Sequence, residues 1–386
     1  MRPEWRSLGF GGWWCAVRRS RHGLVAALLA ASACTFTSPF LDHDGHVIPG
    51  SVATMETLRL GGVDQSVWFR GRSAKAPPLI LLHGGPGASE SALFRRYDAA
   101  LEDHFLVVYW EQRGTGRSYH GDIPRSSMTI EQMLSDLDQL VDTVSSRYGH
   151  ERVVLLGHSW GTILGTLYAH EHPDKVAAYV GVAQIADFAE GERVSLQWAL
   201  RAAENRHDTG ALKELRAIAP APRSVDQELA LGRIVDRLGG SYAAGLSTGK
   251  LIWSALRTDE AGLADVVRFG KGNRFSLEAL RPQYSRVDLT SIKRFAVPVI
   301  FLLGRHDWHV PAVLAAKYFD TIEAPYKKLV WFERSAHNPP FEEPNAFVRE
   351  VVRDVLPLAA TEPFGAAAPA PRPDASARAR SAASGS

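Results

Sequence analysis

The fourteen residues 153–166, VVLLGHSWGTILGT, constrain the fold more than any other stretch of the chain. An apolar, β-branched run ends at Gly157, and a helical pattern of apolar residues begins just after Ser159. Between them lies a G-x-S-x-G pentapeptide, the pattern of a sharp strand-to-helix turn that exposes a serine hydroxyl above a sheet. Trp160 would then lie at a helix N-terminus, where unpaired N–H groups favour negative charge. The stretch predicts Ser159 as a nucleophile, and an ordinary glycine–serine turn is the alternative.

The chain around this turn alternates buried strands with helices. Residues 78–82 and 105–110 are continuous apolar runs, as expected of strands that are buried on both faces. Residues 129–149 carry apolar side chains at helical spacing after a Thr129–Gln132 capping box. Alternation of this kind predicts an α/β fold with a mostly parallel, doubly wound sheet, preceded here by a β-hairpin.

The rhythm changes after about residue 185. From there to about residue 292 the sequence is helical and polar, without a buried-strand run, which indicates a cap inserted over the site. Strand character then returns, and the chain ends in an Ala/Pro/Ser/Arg-rich stretch that we expect to be disordered. The predicted organisation is a targeting segment over 1–34, a core over 35–185 and 293–358, a helical cap over 186–292 and a disordered tail over 359–386.

Residues 1–34 have the composition of a bacterial signal peptide. A basic cluster at 18–21 precedes an apolar core at 24–31, which is too short to span a bilayer as a stable helix. Small residues then lead directly to Cys34, as in a lipobox, although Ala31 stands where leucine is usual. We expect export to the periplasm or cell envelope, with Cys34 lipid-modified as the only membrane attachment. Plain secretory cleavage near Ala33 is the alternative.

Composition excludes several classes of protein. The 386 residues are 45% hydrophobic and 22% charged, which is ordinary for a globular protein. Residues 1–33 hold five arginines against one glutamate, so the rest of the +2 chain carries −2, which does not suggest a nucleic-acid surface. Cys15 and Cys34 are the only cysteines, so no cysteine metal site is possible in the body of the protein. Histidine–acid clusters at 43–46 and 170–172 lack a third ligand nearby, and we expect no metal and no organic cofactor.

A serine nucleophile needs a base, and the base needs an orienting acid. Asp307 and His337 each follow the end of a predicted strand, which gives the order Ser, Asp, His of α/β-hydrolases. Groups at the carboxyl ends of parallel strands gather at one edge of the sheet. His306 and His309 compete with His337 as the base, but they lie beside Asp307 in the same loop, and we expect them to be too local to reach the serine. The glycine-rich loop at 83–87 follows another strand, and we assign one oxyanion N–H to Gly85 and the second to Trp160.

Three motifs together resemble the proline iminopeptidase family of α/β-hydrolases. They are HGGPG at 83–87, QRGTGRS at 112–118 and GHSWG at 157–161. The resemblance covers roughly 78–182 and 297–356. It implies Ser159 as nucleophile, Asp307 as orienting acid, His337 as base, and the Gly85 and Trp160 N–H groups as the oxyanion hole. The chain departs from the family at Glu111, where aspartate is usual.

The resemblance implies a serine aminopeptidase that releases N-terminal residues from small peptides. In that family carboxylates of the cap bind the free amine of the substrate, and Glu190, Glu192 and Glu204 are candidates here, with solvated helix faces as their alternative. A carboxylesterase or lactonase with the same triad is the second hypothesis: a carboxylate pair near Ser159 would favour the peptidase, and a wholly apolar pocket the esterase. The third hypothesis is a non-catalytic binding lipoprotein on the same fold. The oligomeric state is not predicted.

Overall fold

The computed structural model describes residues 37–218, 223–243 and 245–360, built around one eight-stranded sheet. The spatial order of the strands is β1-β2-β4-β3-β5-β6-β7-β8. Strands β3 to β8 run parallel to one another, whereas β2 pairs in antiparallel fashion with both β1 and β4. The predicted mostly parallel α/β sheet with a leading hairpin is confirmed. The strands are β1 (Val52–Leu60), β2 (Val63–Gly71), β3 (Pro78–Leu82), β4 (Leu106–Trp110), β5 (Val153–His158), β6 (Val176–Val182), β7 (Val299–Gly304) and β8 (Lys327–Phe332).

Eleven α-helices lie within the described residues. They are α1 (Ser91–Tyr97), α2 (Ile130–Tyr148), α3 (Gly161–Glu171), α4 (Phe188–Asn205), α5 (Thr209–Ala217), α6 (Val225–Arg237), α7 (Thr248–Ala255), α8 (Leu263–Tyr284), α9 (Ala312–Thr321), α10 (Pro339–Glu342) and α11 (Pro344–Ala359). Short 3-10 helices lie at Ala99–Asp103, Gly116–Ser118 and Arg125–Ser127. Helix α2 begins as its sequence predicts, because the Thr129 hydroxyl accepts a hydrogen bond from the Gln132 N–H. No helix among these is long and apolar enough to cross a bilayer.

The central strands are apolar along their length because helices cover both faces of the sheet. In β3, Ile80 and Leu82 pack into the cluster that includes α2 and α3. Leu79 and Leu81 face the other side, where they share a cluster with side chains of α1 and α11. Each strand of this kind removes two rows of side chains from water, which accounts for the continuous apolar runs in the sequence.

Helices α4 to α8 lie between β6 and β7, and we refer to Phe188–Tyr284 as the helical insertion. Part of it has a small hydrophobic core of its own, which includes Ala199, Leu215 and Val235. The helices fall within the predicted cap, and residues 285–298 return the chain to the sheet. Because β6 ends at the carboxyl edge of the sheet, the insertion leaves the core beside the loops that follow β3 and β5.

Two of the predicted segments lie mostly outside the described residues. The predicted signal peptide and Cys34 precede the first described residue, Thr37. The predicted tail begins at residue 359, whereas helix α11 extends to Ala359, and residues 361–386 lie outside the described part of the chain.

Candidate active site

Ser159 occupies the turn between β5 and α3. Its φ of 51° is in the left-handed region, which a residue with a side chain rarely adopts and which therefore marks local strain. Gly161 permits the turn, because a Cβ there would clash with the carbonyl of Leu82 at the end of β3. The turn thus packs against the neighbouring strand end, and the serine side chain remains 8% exposed at the wall of a cavity.

Asp307 and His337 meet beside this turn. The Nδ1 of His337 lies 2.9 Å from Oδ2 of Asp307. The other carboxylate oxygen accepts hydrogen bonds from the N–H groups of His309 and Val310, both at 2.9 Å. Gly304 allows the two loops to approach, because a Cβ there would clash with the carbonyl of Ala336. The carboxylate is therefore fixed on three sides and holds the imidazole in one orientation.

A buried ion pair connects the serine turn, the glycine-rich loop and His337. Glu90 accepts hydrogen bonds from the Gly84 N–H at 3.0 Å and from the Nδ1 of His158 at 2.7 Å. The Nε2 of His158 lies 3.0 Å from the carbonyl oxygen of His337. With both ring nitrogens bonded to acceptors, His158 is held in the imidazolium form. Glu90 was not predicted from the sequence, although a carboxylate buried at the end of the glycine-rich loop requires a hydrogen-bonding or oppositely charged partner.

The charges around the imidazole of His337 set its proton affinity. Burial opposes the charge on His158, but the adjacent Glu90 carboxylate outweighs it and raises the pKa of His158. Burial, and then the positive charge of His158, lower the pKa of His337 well below its ordinary value. Burial raises the pKa of Asp307 to about 7. Because Asp307 and His337 share a hydrogen bond, they take up a proton as a pair.

The two N–H groups assigned to the oxyanion hole have no competing acceptor. Within the described residues, neither the Gly85 N–H nor the Trp160 N–H donates a hydrogen bond to the protein. Gly85 has a φ of 116° and lines the same cavity as Ser159. In the described chain no hydrogen bond joins the Ser159 hydroxyl to His337, and contacts of this kind are often long until a substrate binds.

His309 lies closer to the site than its sequence position suggested. We expected it to be too local to approach the serine, but it lines the same cavity as Ser159. Its ring is 4.7 Å from that of His337, between centroids, and its Nδ1 lies 3.3 Å from the hydroxyl of Ser241. The loop after Asp307 turns back over the cavity, which brings His309 to its wall. His306 is exposed. The ring of His337 donates a hydrogen bond to the Asp307 carboxylate, which distinguishes it from both as the base.

The QRG motif connects the loops that surround the site. The side-chain oxygen of Gln112 accepts a hydrogen bond from the Trp160 indole at 2.9 Å, and its amide nitrogen donates to the His83 carbonyl at 3.2 Å. Arg113 forms a two-point ion pair with the buried Asp136, at 2.8 and 2.9 Å. The motif therefore fixes the glycine-rich loop relative to the serine turn.

The cavity next to Ser159 contains about 720 Å³ of space, part of it open to solvent. Its walls come from the loops after β6 and β7 and from helices α4 and α6. Most of the lining is apolar or neutral, but it includes three acids. Asp187 accepts a hydrogen bond from the Glu190 N–H at 3.0 Å as the cap of α4, and Glu192 and Glu228 lie on the helices themselves. The cavity is therefore not wholly apolar, and it carries a pair of carboxylates on the side of the helical insertion.

Two arginines hold these carboxylates. Arg223 approaches Glu192 at 3.2 Å, and Arg281 is paired with Glu228, which also accepts a hydrogen bond from Tyr284 at 3.0 Å. Neither arginine lines the cavity. The Oε1 of Glu192 is buried without a hydrogen-bond partner within the described residues. Its ion-pair partner is Arg281, whose Nη2 lies 3.9 Å away and does not reach it with a hydrogen bond.

The three carboxylates considered from sequence have different surroundings. Glu192 lines the cavity, whereas Glu190 pairs with Arg193 and Glu204 is exposed on the same helix. Glu228 was not predicted from the sequence. It lies on α6, two helices after α4, which carries Glu192. No motif marks it, since only the packing of α6 against α4 brings it to the cavity.

Comparison with known proteins identifies the family of the chain. The profile of the alpha/beta hydrolase fold family matches residues 77–344. A Bacillus subtilis protein named "Probable aminopeptidase YbaC" is 32% identical over 306 residues, which cover 78% of this chain and 96% of that protein. A Streptomyces coelicolor "Probable proline iminopeptidase" is 28% identical over 184 residues, which cover 46% of this chain and 54% of that protein.

Solved structures share the fold. The crystal structure of proline iminopeptidase from Mycobacterium smegmatis superposes with a TM-score of 0.57 at 19% identity, over 79% of this chain and 99% of that one. A thermophilic esterase from Thermogutta terrifontis superposes with a TM-score of 0.53 at 19% identity, over 80% and 100% of the two chains. At these identities the likeness shows the fold alone. The match over residues 77–344 and the Bacillus relative show that the chain belongs to the α/β-hydrolase family, as a proline iminopeptidase-like member.

Proposed function

We propose that this protein is a serine aminopeptidase of the proline iminopeptidase type, which removes an N-terminal residue from small peptides through an acyl-enzyme. The observation that carries the proposal is the carboxylate pair, Glu192 and Glu228, in the wall of the cavity next to Ser159. A negative charge there is suited to the free ammonium of a peptide N-terminus. The names of the Bacillus and Streptomyces relatives support the same class of activity.

The proposed reaction begins with Ser159. Its hydroxyl attacks the first carbonyl of the peptide while His337 takes the proton, and Asp307 stabilises the resulting imidazolium. The Gly85 and Trp160 N–H groups donate to the oxyanion, and a donor of this kind contributes on the order of 3 kcal/mol to lowering the barrier. His337 then protonates the leaving amine, and a water molecule repeats the cycle to release the N-terminal residue.

The helical insertion would select the substrate. An ammonium in the cavity would bind Glu192, whose Oε1 has no hydrogen bond within the described residues and lies 3.9 Å from Arg281, with Glu228 as the second negative charge. Arg223 and Arg281 pair with the carboxylates from outside the cavity lining and hold them in position. A charge-assisted hydrogen bond is among the strongest single contacts that a protein makes, so it can impose a preference for a free amine.

A carboxylesterase or lactonase is the second candidate. The two arginines, which lie outside the cavity lining, offset part of the negative charge that Glu192 and Glu228 bring to the wall. A weakly charged cavity would also accept an acyl group that has no amine. The esterase from Thermogutta terrifontis has the same fold, which carries no information on substrate. The third hypothesis, a non-catalytic binding protein, would not require the hydrogen bond to Asp307 that orients His337.

A parallel assay separates the two enzymatic candidates. We would measure kcat/KM for prolyl and alanyl arylamides and for short-chain aryl esters under one set of conditions. The proposal expects turnover of aminoacyl arylamides at a rate that Ser159→Ala abolishes. Ester hydrolysis with no detectable arylamide hydrolysis would contradict the peptidase assignment and support an esterase. A lack of turnover on both would favour a binding role.

We further propose that the protein is exported and attached to the cell envelope through a lipid on Cys34. The motive is the sequence of residues 18–34, with its basic cluster, short apolar core and small residues before the cysteine. Labelling of cells with a fatty-acid analogue tests this. Cys34→Ser should abolish the label, and label retained in that variant would contradict the proposal.

A further inference from the structure

A second feature of the helical insertion is an apolar surface far from the carboxylate pair. Eight large apolar side chains are prominently exposed in the described part of the chain, and five of them lie on α7 or the first turns of α8. Leu263 is 69% exposed and Trp253 62%. We call the five side chains the apolar face. They are Ile252, Trp253, Leu263, Val266 and Val267.

The apolar face continues inward. Ile252 and Val266 also line a cavity of about 1030 Å³, part of it open to solvent, which extends toward α1 and the loop after β3. Much of its lining is apolar, and Leu93, Leu251 and Phe341 contribute to it. A cluster of exposed large apolar side chains beside an apolar cavity is typical of a surface that contacts another molecule.

Basic side chains flank the apolar face along the chain, and we call them its basic rim. Lys250 and Arg257 lie on or just after α7, and Arg268 and Lys271 lie on α8, all of them exposed. Arg257 also stacks over the ring of Trp253, at 5.7 Å from the centroid. Three acids lie in the same stretch. Glu260 pairs with Arg95, and Asp265 pairs with Arg117 and, at 3.1 Å, with the exposed Arg268. Asp259 is the exposed acid among them.

The described chain begins beside this surface. The Thr37 hydroxyl donates to Glu260 at 2.8 Å, and the Ser38 hydroxyl donates to Asp259 at 2.5 Å. Cys34 precedes Thr37 by three residues, a span of at most about 11 Å even in an extended chain. An attachment at Cys34 would therefore hold this side of the molecule against the bilayer.

We propose that α7 and the first turns of α8 form a membrane-docking face that lies on anionic phospholipid. Tryptophan and aliphatic side chains ringed by lysine and arginine are the composition of interfacial helices, with the apolar groups in the acyl region and the cations at the headgroups. A second copy of the chain fits less well, because a symmetric contact would bring two basic rims together. The proposal requires neither the peptidase activity nor the lipid on Cys34.

Vesicle sedimentation tests this proposal on the full chain carrying Cys34→Ser, so that no covalent lipid contributes. The probes are vesicles of phosphatidylcholine alone and of phosphatidylcholine with phosphatidylglycerol. We expect binding to the anionic vesicles that weakens roughly fivefold for each rim charge removed, for example in Arg257→Gln. Trp253→Ser with Val267→Ser should weaken binding at least tenfold.

The matched control is Val313→Ser, an exposed valine on α9 outside the apolar face, which should bind like the parent. Far-UV circular dichroism checks that each variant is folded. Equal binding by the parent and the Trp253/Val267 variant would overturn the proposal, since the apolar stretch at residues 24–31 would then account for it. A lipid-free dimer that dissociates in that variant would also overturn it and assign the face to a second copy.

Discussion

The carboxyl edge of the sheet and the helical insertion hold their functional groups in different ways. At the sheet edge, Ser159, Asp307 and His337 each follow a strand, and backbone packing at Gly161 and Gly304 fixes the distances between loops. In the insertion, Glu192 and Glu228 come from two helices and are positioned by side-chain ion pairs with arginines. The comparison indicates that the chemistry is built into the fold, whereas substrate choice depends on a few replaceable charges.

The largest effect should come from the serine itself. Ser159→Ala removes the nucleophile and should lower kcat by roughly 10³-fold or more, since triad members act as a unit. Ser195→Ala is the matched control, because this second serine also lines the cavity. Its kcat should stay within about tenfold of the wild-type value, because Ser195 lines the cavity but takes no part in the reaction. Turnover and thermal midpoint measured together would separate lost chemistry from lost folding.

The two histidines near Asp307 should differ. His337→Ala should reduce kcat by about 10³-fold, because the hydrogen bond from its Nδ1 to Asp307 orients this ring as the base. His309→Ala should cost much less, since its Nδ1 is near Ser241 instead. Single-turnover kinetics on both variants would decide the assignment. If His309→Ala were the more damaging change, the base would have to be reassigned.

A change in the insertion should alter binding and leave the chemistry intact. Glu192→Gln should raise KM for free-amine substrates by roughly 10- to 100-fold, the value of one hydrogen bond to a charged group. N-acylated esters should be hydrolysed as before. Glu204→Gln is the control, because Glu204 is exposed on the same helix. Steady-state kinetics with both substrates would compare the two variants. An equal KM for the free-amine substrate in both would contradict the proposed role of Glu192.

The smallest effect concerns pH. Activity should fall at acid pH as the Asp307–His337 pair gains a proton, since a protonated base cannot accept one from serine. Sequence alone places this limb near pH 6–7, around the ordinary histidine value. The positive charge of His158 lowers the pKa of both groups, so His158→Gln should move the limb upward, on the order of one pH unit. Profiles of kcat/KM that coincide for wild type and variant would contradict this coupling.

The same comparison explains what could be predicted from the sequence. Strand ends carry local signals, so the order of Ser159, Asp307 and His337 predicts one shared edge, and the structure brings the last two into hydrogen-bond contact. Glu90 and Glu228 carry no such signal. Glu90 meets His158 across 68 positions of sequence, and the packing of α6 alone turns Glu228 toward the cavity. Contacts that depend on how helices pack cannot be predicted from a local sequence pattern.

One measurement tests the central claim most directly: kcat/KM of the wild-type protein for prolyl or alanyl arylamide, compared with the N-acetylated form of the same compound. Acetylation removes the ammonium and leaves the scissile bond in place. If Glu192 and Glu228 form an amine site, the free-amine substrate should be preferred by about tenfold or more. Equal rates, or a preference for the acetylated compound, would contradict the account.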